Sequence, residues 1–273
     1  MLKDITIGQY YPVQSKIHDL DPRTKIVYTF VYIIILFFAN NYVGYALGAG
    51  FLALLIAMSN IPLKFVFRSV KAILIIILIT VILNVFVTPG NVLFRIGSLK
   101  VTDAGLINAA FMALRLTMLI VGTSIMTLTT SPISLTDGME YCMKVIPGIR
   151  SYAHELSMMM TIALRFIPTL MEEADKIMKA QKARGADFET GSIFKKARNI
   201  VPILVPLFIG SFKRADELAM AMEARCYRGG NNRTRLYELS YSKNDRIAYI
   251  VTVVMVAMMI ASRFLPLMRI PIQ

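Results

Sequence analysis

The class of this fold is decided by the stretch Ala72-Ile-Leu-Ile-Ile-Ile-Leu-Ile-Thr-Val-Ile-Leu-Asn-Val-Phe-Val-Thr88. It carries no charged side chain, and a helix that crosses a bilayer needs about 20 predominantly apolar residues. In the whole chain of 273 residues, 56% are hydrophobic. Such a content, carried in long runs, is more than a soluble domain of this size can bury. The sequence therefore predicts an integral membrane protein.

Four further apolar segments accompany this stretch. They cover about residues 26–39, 42–59, 104–130 and 246–264. The first of them is short for a span unless Thr24 and Lys25 extend towards the headgroups. Only Asn40-Asn41 separates it from the second, which predicts a tight turn there. We therefore predict an all-α membrane protein with about five transmembrane helices.

Basic residues are distributed unequally between the two sides of these spans. One side carries Lys16, Arg23, Lys25, Lys64, Arg68 and Lys71, and the other carries Arg95, Lys100, Arg263 and Arg269. Because cytoplasmic loops are enriched in Lys and Arg, the first side is expected to be cytoplasmic. The N-terminus and region 131–244 then lie in the cytoplasm, and an odd number of spans puts the C-terminus outside. The expected location is the cell membrane, crossed several times.

Region 131–244 differs from the rest of the chain in its charged residues and prolines. It contains 17 Lys or Arg and 12 Asp or Glu, mixed with apolar stretches that prolines interrupt. Within it, the apolar run Ile200–Phe212 is about 13 residues long and holds two prolines, so we interpret it as a buried or interfacial helix. The region as a whole is interpreted as a cytoplasmic layer of amphipathic helices. The predicted domains are therefore 1–130, 131–244 and 245–273.

Two tripeptides in this region are candidate binding sites. Ala183-Arg184-Gly185, the first arginine end, and Ala224-Arg225-Cys226, the second arginine end, each follow a run of mixed charge that predicts a helix. An arginine where a helix ends is a compact charged group suited to insertion into another protein. Two such ends predict that the protein binds a pair of soluble partners. The alternative is that both are solvated helix ends without a partner.

The sequence lacks the residue patterns that ATP binding, metal binding and nucleic-acid binding require. No Gly-x4-Gly-Lys-Ser/Thr run is present that would bind ATP through a P-loop. His18 and His154 are isolated, and Cys142 and Cys226 fit neither a disulfide framework nor a metal-ligand spacing. The basic run 228–235 lacks an aromatic stacking platform, so no nucleic-acid partner is expected. We expect no catalytic residue, no metal site, no cofactor and no enzymatic activity.

A charged residue inside the fourth apolar segment, Arg115, is expected to have a structural partner. A charge at that depth in a bilayer is costly and usually faces protein or water. The expected partner is a backbone carbonyl or Asn84.

Several motifs in combination resemble one known family. Ala163-Leu-Arg-Phe-Ile-Pro168, Ala180-Gln-Lys-Ala-Arg-Gly-Ala-Asp187 and Ala221-Met-Glu-Ala-Arg-Cys-Tyr-Arg-Gly-Gly230 resemble the transmembrane (T) subunit of energy-coupling factor transporters. Asp21-Pro-Arg-Thr-Lys25 is similar to that family as well, so the resemblance runs from residue 8 to about residue 240. It implies an ATP-driven importer of vitamins or other micronutrients. The implied partners are two ATP-binding cassette ATPase subunits, a membrane-embedded substrate-binding (S) subunit and the lipid bilayer.

The resemblance also implies roles for the two arginine ends. Each would end a coupling helix and dock into one ATPase, with Arg184 and Arg225 as the docking arginines. Their neighbours Ala183, Gly185, Ala224 and Cys226 would complete the two docking sites. The second end has Cys226 where the family usually has glycine, and this is expected to remove the freedom to adopt a left-handed backbone.

Two alternative functions remain at this point. One is a dedicated cobalt/nickel-type permease subunit of the same transporter class. The other is a self-sufficient secondary transporter, which requires paired interrupted spans and ionisable residues at the midplane of both halves. Arg115 is the one residue that meets the second requirement. In the transporter that the resemblance implies, the substrate binds another chain.

Overall fold

The computed structural model describes residues 10–39, 41–96, 99–150, 152–186, 188, 192–229 and 239–263. In chain order the elements are α1 (Pro22–Phe37), α2 (Tyr42–Ser59), α3 (Leu63–Val87), β1 (Val92–Ile96), β2 (Leu99–Thr102), α4 (Asp103–Thr129), α5 (Pro132–Val145), α6 (Ala153–Ala183), α7 (Ile193–Ala224) and α8 (Lys243–Arg263). The predicted all-α membrane class is confirmed.

The described residues divide into two compact units. The bundle unit comprises 10–138 and 239–263, and the arm unit comprises 139–229. The bundle unit contains α1 to α4 and α8, the arm unit contains α6 and α7, and the boundary falls within α5. The domain limits at residues 130 and 244 remain a prediction.

Four of the described helices are long and apolar enough to cross a membrane. They are α2, α3, α4 and α8. Helix α1, the first of the five predicted spans, has 16 residues. At 1.5 Å per residue it reaches about 24 Å, less than the hydrocarbon core of about 30 Å. Four of the five predicted spans are therefore candidate membrane spans by length and composition, and α1 is shorter than each of them.

A short antiparallel hairpin, which was not predicted from the sequence, connects α3 with α4. Its strands β1 and β2 pair Val92 with Thr102 and Phe94 with Val101. Thr102 then caps α4, because its hydroxyl accepts a hydrogen bond from the Gly105 amide at 3.0 Å.

The core of the bundle unit lies between α1, α2 and α4. Tyr32 and Leu36 of α1 and Ile125 of α4 are at most 2% exposed. Gly122 of α4 makes this packing possible, because a Cβ at that position would lie 2.8 Å from Cε1 of Tyr32. Any larger residue there would push α4 away from α1.

Arg115 of α4 has the structural partner that its position in an apolar segment predicts. Its Nη2 donates a hydrogen bond to the carbonyl oxygen of Ala39 at 2.9 Å. Its guanidinium carbon also lies 5.6 Å from the centre of the Tyr45 ring. The expectation of a backbone carbonyl is confirmed, whereas Asn84 donates to Thr80 of its own helix.

Buried polar groups hold the start of α1. Asp21 caps the helix by accepting from the Arg23 amide, and Pro22 occupies the first helical position, as expected for helix-start chemistry. Lys25 is 2% exposed. Its Nζ donates to the carbonyl oxygens of His18 and Thr129, at 2.9 Å each. The last residue of α4 is thereby joined to the first turn of α1.

Asp245 joins α8 to the start of α1. It is 1% exposed, and its Oδ1 accepts from the Asp21 amide at 2.9 Å. Its Oδ2 accepts from the amide and the hydroxyl of Ser242, at 2.8 and 2.9 Å. Arg23 donates to the carbonyl oxygen of Leu239 at 2.8 Å. Because a buried charge is tolerated only when it is hydrogen-bonded, these contacts fix how α1, α4 and α8 meet.

Replacing Asp245 with Ala should destabilise the bundle unit. The amides of Asp21 and Ser242 would lose their acceptor, and the buried unsatisfied amide of Asp21 alone costs about 1–3 kcal/mol. The midpoint of thermal unfolding of the purified chain in detergent should fall. The matched control is Lys243→Ala, because Lys243 is exposed in the same helical turn. Equal midpoints for Asp245→Ala and the control would contradict this role.

Candidate partner-docking site

Helices α6 and α7 are longer than the other described helices, at 31 and 32 residues. Pro168, Pro202 and Pro206 lie inside them. The run Ile200–Phe212 is therefore part of α7, and Ile203 is its one buried side chain. The interpretation of this run as a buried helix is wrong, because its side chains are mostly exposed, and its interpretation as an interfacial helix stays a prediction. Each proline removes one N–H donor, and the turns on both sides continue the helix.

Helix α6 ends in a Schellman motif at the first arginine end. Arg184 is the capping residue, and the Gly185 amide donates to the carbonyl oxygen of Lys182 at 3.0 Å. The Ala186 amide donates to the carbonyl oxygen of Gln181, also at 3.0 Å. Gly185 has φ of +89°. This left-handed conformation is the one that the motif requires after the cap, and glycine adopts it without steric cost.

Helix α7 ends in the same motif at the second arginine end. The Cys226 amide donates to Glu223 at 2.8 Å, and the Tyr227 amide donates to Met222 at 3.0 Å. Arg225 is the capping residue, and Cys226 has φ of 55°. The expectation that cysteine would prevent a left-handed backbone is therefore wrong. The hydrogen bonds of the motif offset a steric cost of roughly 1–2 kcal/mol.

Both arginine ends are open to binding. Neither Arg184 nor Arg225 has a side-chain partner among the described residues. The predicted docking residues are all exposed: Ala183, Arg184, Gly185, Ala224, Arg225 and Cys226. Each guanidinium is held at the tip of a long helix with its five N–H donors available.

A chain of polar contacts fixes the second arginine end to the start of α6. Glu140 of α5 is 3% exposed, and its Oε1 lies 3.3 Å from Nδ1 of His154. Nε2 of His154 lies 3.4 Å from the hydroxyl of Tyr227. Because a carboxylate only accepts, Nδ1 donates to Glu140, and Nε2 of the same ring faces the hydroxyl of Tyr227. Lys144 also pairs with Glu140, at 2.8 Å.

This contact places the two arginine ends far apart. Tyr227 follows Arg225 by two residues and touches the second residue of α6, whereas Arg184 follows the last residue of the same helix. Thirty residues of helix at 1.5 Å each correspond to about 45 Å if the helix is straight. The two guanidinium groups therefore stand near opposite ends of α6.

The two long helices are joined at a second point. Arg214 of α7 pairs with Glu173 of α6. Gly210 gives this glutamate room, because a Cβ there would lie 3.0 Å from Glu173 Oε1. Eleven residues separate Glu173 from Arg184, and eleven separate Arg214 from Arg225. Both arginine ends thus stand about 16 Å along a proline-free helix from the same ion pair.

Sequence reasoning placed the arginines but missed the groups that position them. His154 was interpreted as isolated, because its partners lie 14 and 73 residues away along the chain. Gly210 was the one signal available for the ion pair, since a glycine inside a helix often marks a close approach. In the described part of the chain, no cluster of His, Cys, Asp and Glu could hold a metal ion.

Known proteins match this chain over nearly its whole length. The profile of a family described as "Cobalt transport protein" (CbiQ) matches residues 13–236. A protein of Clostridium kluyveri, named energy-coupling factor transporter transmembrane protein EcfT, is 57% identical over 96% of this chain and 98% of its own length. Proteins of the same name from Thermosediminibacter oceani and Bacillus subtilis are 54% and 44% identical. They cover 97% and 95% of this chain, and 100% and 98% of their own lengths.

Substitutions after the two caps should change hydrogen exchange in opposite directions. Gly185→Val puts a β-branched residue at a positive φ, so exchange in a peptide covering 181–186 should accelerate by about tenfold. Cys226→Gly removes the strained Cβ, so exchange in a peptide covering 222–227 should slow severalfold. Deuterium uptake by mass spectrometry measures both.

The matched control is Cys226→Ala, which keeps the Cβ and should exchange like the unmodified chain. Equal exchange rates in Cys226→Gly and Cys226→Ala would show that the left-handed conformation carries no strain.

Proposed function

The chain belongs to the family of energy-coupling factor transporter transmembrane proteins, and we propose that it is the scaffold and coupling subunit of an ATP-driven importer. In this role it joins two ATP-binding cassette ATPase subunits to a membrane-embedded substrate-binding subunit. The family assignment rests on matches over nearly the full chain. The relatives are named as membrane subunits of a transporter and not as enzymes.

One observation carries the proposal: two arginine ends with the same capping motif stand near opposite ends of α6. Repetition of the same cap, the same exposed arginine and the same unpaired guanidinium favours two similar partners. A separation of up to about 45 Å favours two separate binding sites over one shared site. A pair of homologous ATPases has both properties.

The mechanism follows from the way the arginine ends are held. In our proposal, ATP binding closes the ATPase pair and displaces both docked ends. Helices α6 and α7 carry the displacement, because their last three turns contain no proline and the Glu173–Arg214 pair joins them. The substrate-binding subunit reorients in response and releases its substrate on the cytoplasmic side.

The proposed cargo is a vitamin or another micronutrient, which binds the substrate-binding subunit. A dedicated cobalt/nickel-type permease subunit remains the alternative, favoured by the description of the matching family as a cobalt transport protein. Mass spectrometry of the proteins that co-purify in mild detergent distinguishes a shared scaffold from a dedicated subunit. Several different small membrane proteins indicate a shared scaffold, and one indicates a dedicated subunit.

We expect the N-terminus to be cytoplasmic and the C-terminus to be external in the cell membrane. The physical reason is the excess of Lys and Arg on one side of the spans. A reporter that is active only in the cytoplasm should give a signal when fused after Gly191 and none when fused after Gln273. Signal from both fusions would mean an even number of spans after Gly191 and would refute this topology.

Loss of the two arginines should release the ATPases. Removing one partner of a buried charge-assisted contact costs roughly 2–5 kcal/mol at an interface. Arg184→Ala or Arg225→Ala alone should reduce uptake sharply and leave part of the complex assembled, because the remaining contact is intramolecular. The double variant should lose both ATPase co-purification and uptake. Lysine at either position should restore only part of the co-purification and uptake, because its ammonium lacks the planar set of N–H donors of a guanidinium.

The matched control is Arg228→Ala, an exposed arginine three residues beyond Arg225 and outside the cap. It should leave assembly unchanged. Cys226 supplies an independent readout, since it is exposed in the chain alone and docking should slow its labelling by a maleimide. Normal co-purification and uptake in the double alanine variant would identify the arginines as solvated helix ends.

A further inference from the structure

A groove in the bundle unit follows the line between α2 and α8. Its first part is a cavity of about 190 Å³, and its second part is a cavity of about 370 Å³. The two parts share Phe51, Leu54 and Val251 in their walls, so they are adjacent along the line between α2 and α8. Both helices are long and apolar enough to cross a membrane. The groove therefore lies on a part of the protein that is surrounded by lipid.

The length of the groove matches one leaflet of a bilayer. Along α2 its lining extends from Met58 to Ala46, and along α8 from Asn244 to Met258. At 1.5 Å per residue these stretches correspond to about 18 and 21 Å. A leaflet contributes about 15 Å to a hydrocarbon core of about 30 Å. One lipid chain therefore fits along the groove.

The two ends of the groove differ in chemistry. Lys16 and Asn244 line the end beside the first turn of α8, and the far end is lined by apolar residues and Gly50. Lys16 is exposed and has no ion-pair partner among the described residues. Lys243 and Arg246 are exposed in the same turn of α8. An apolar slot with a cation at its mouth is complementary to a lipid that carries a negative headgroup.

We infer that this groove binds one anionic phospholipid, with an acyl chain between α2 and α8 and the phosphate beside Lys16 and Asn244. The lysine ammonium pairs with the phosphate, and the Asn244 amide donates a hydrogen bond to it. A partner helix would require a surface about 10 Å wide along its length. Phe51, Leu54 and Val251 line both parts of the groove, and the acyl chain lies against them.

The absence of tryptophan from the chain provides a direct assay. Leu54→Trp puts the chain's one indole at the lip of the groove, at a position that is 47% exposed. The full chain is reconstituted in vesicles of brominated phosphatidylglycerol or brominated phosphatidylcholine, which quench a nearby indole. Quenching should show about a fivefold preference for phosphatidylglycerol, since a basic residue near an anionic membrane surface contributes about that factor. A reference at an exposed position outside the groove, Ile75→Trp on α3, should show no preference.

Two second-site changes in the Leu54→Trp background test the contact of Lys16 with the headgroup and the space for the acyl chain separately. Lys16→Ala should abolish the preference, and Lys64→Ala, an exposed lysine outside the groove, should retain it. Gly50→Leu should fill the far part, because a Cβ at Gly50 meets nothing within 4 Å, and so reduce quenching by both lipids. Ala49→Leu, exposed on the same helix outside the lining, is its control.

Equal quenching by the two lipids in the Leu54→Trp chain would overturn the inference, as would a preference that survives Lys16→Ala. If Gly50→Leu left quenching unchanged and instead prevented a membrane subunit from co-purifying, the groove would be a helix-binding surface. None of these outcomes depends on the ATPases, so the lipid site and the proposed coupling function fail or succeed separately.

Discussion

The position of the second arginine end depends on one chain of hydrogen bonds, from Glu140 through His154 to Tyr227. A carboxylate can only accept, so Nδ1 of the imidazole carries the proton that it donates to Glu140, and this orients Nε2 of the same ring towards the tyrosine hydroxyl. A second attachment, between Glu173 and Arg214, lies further along the same pair of helices. Two helices that are joined at one point can still change the angle between them. Two separated attachments restrict that rotation of α6 against α7. The spacing of the arginine ends is therefore a property of the folded arm unit itself.

The bundle unit uses buried charge for the same purpose, with backbone groups as partners. Lys25 and Asp245 are almost completely buried, and their described contacts include carbonyl oxygens and amides at the ends of helices. Such groups lack partners within their own helices, so a charged side chain can satisfy them at short range. Arg23 adds the ring of Tyr241, 4.1 Å from its guanidinium carbon. The segment that enters α8 is thus held against the first turn of α1 by specific contacts in addition to apolar packing.

The features that could be predicted from the sequence are those that local chemistry determines. The apolar runs indicated α2, α3, α4 and α8, and Arg184 and Arg225 were placed at helix ends. The continuity of α6 and α7 through their prolines was missed, because a proline by itself predicts that a helix breaks. In the structure, the long flanking turns retain enough hydrogen bonds for each helix to continue. The polar chain was missed because its members are distant in sequence. The hairpin was missed because its strands are only five and four residues long.

The two arginine ends share one local structure but are held differently. Gly185 adopts its left-handed conformation without cost, and no described atom lies within 4 Å of where its Cβ would be. Cys226 adopts a similar conformation at a steric cost, yet the next residue, Tyr227, both closes the capping motif and reaches His154. A contact that fixes the residue after the cap also fixes the cap, so the tertiary hydrogen bond offsets strain that would otherwise open the turn. The second end can therefore accommodate cysteine because it is anchored, whereas the first end relies on its glycine.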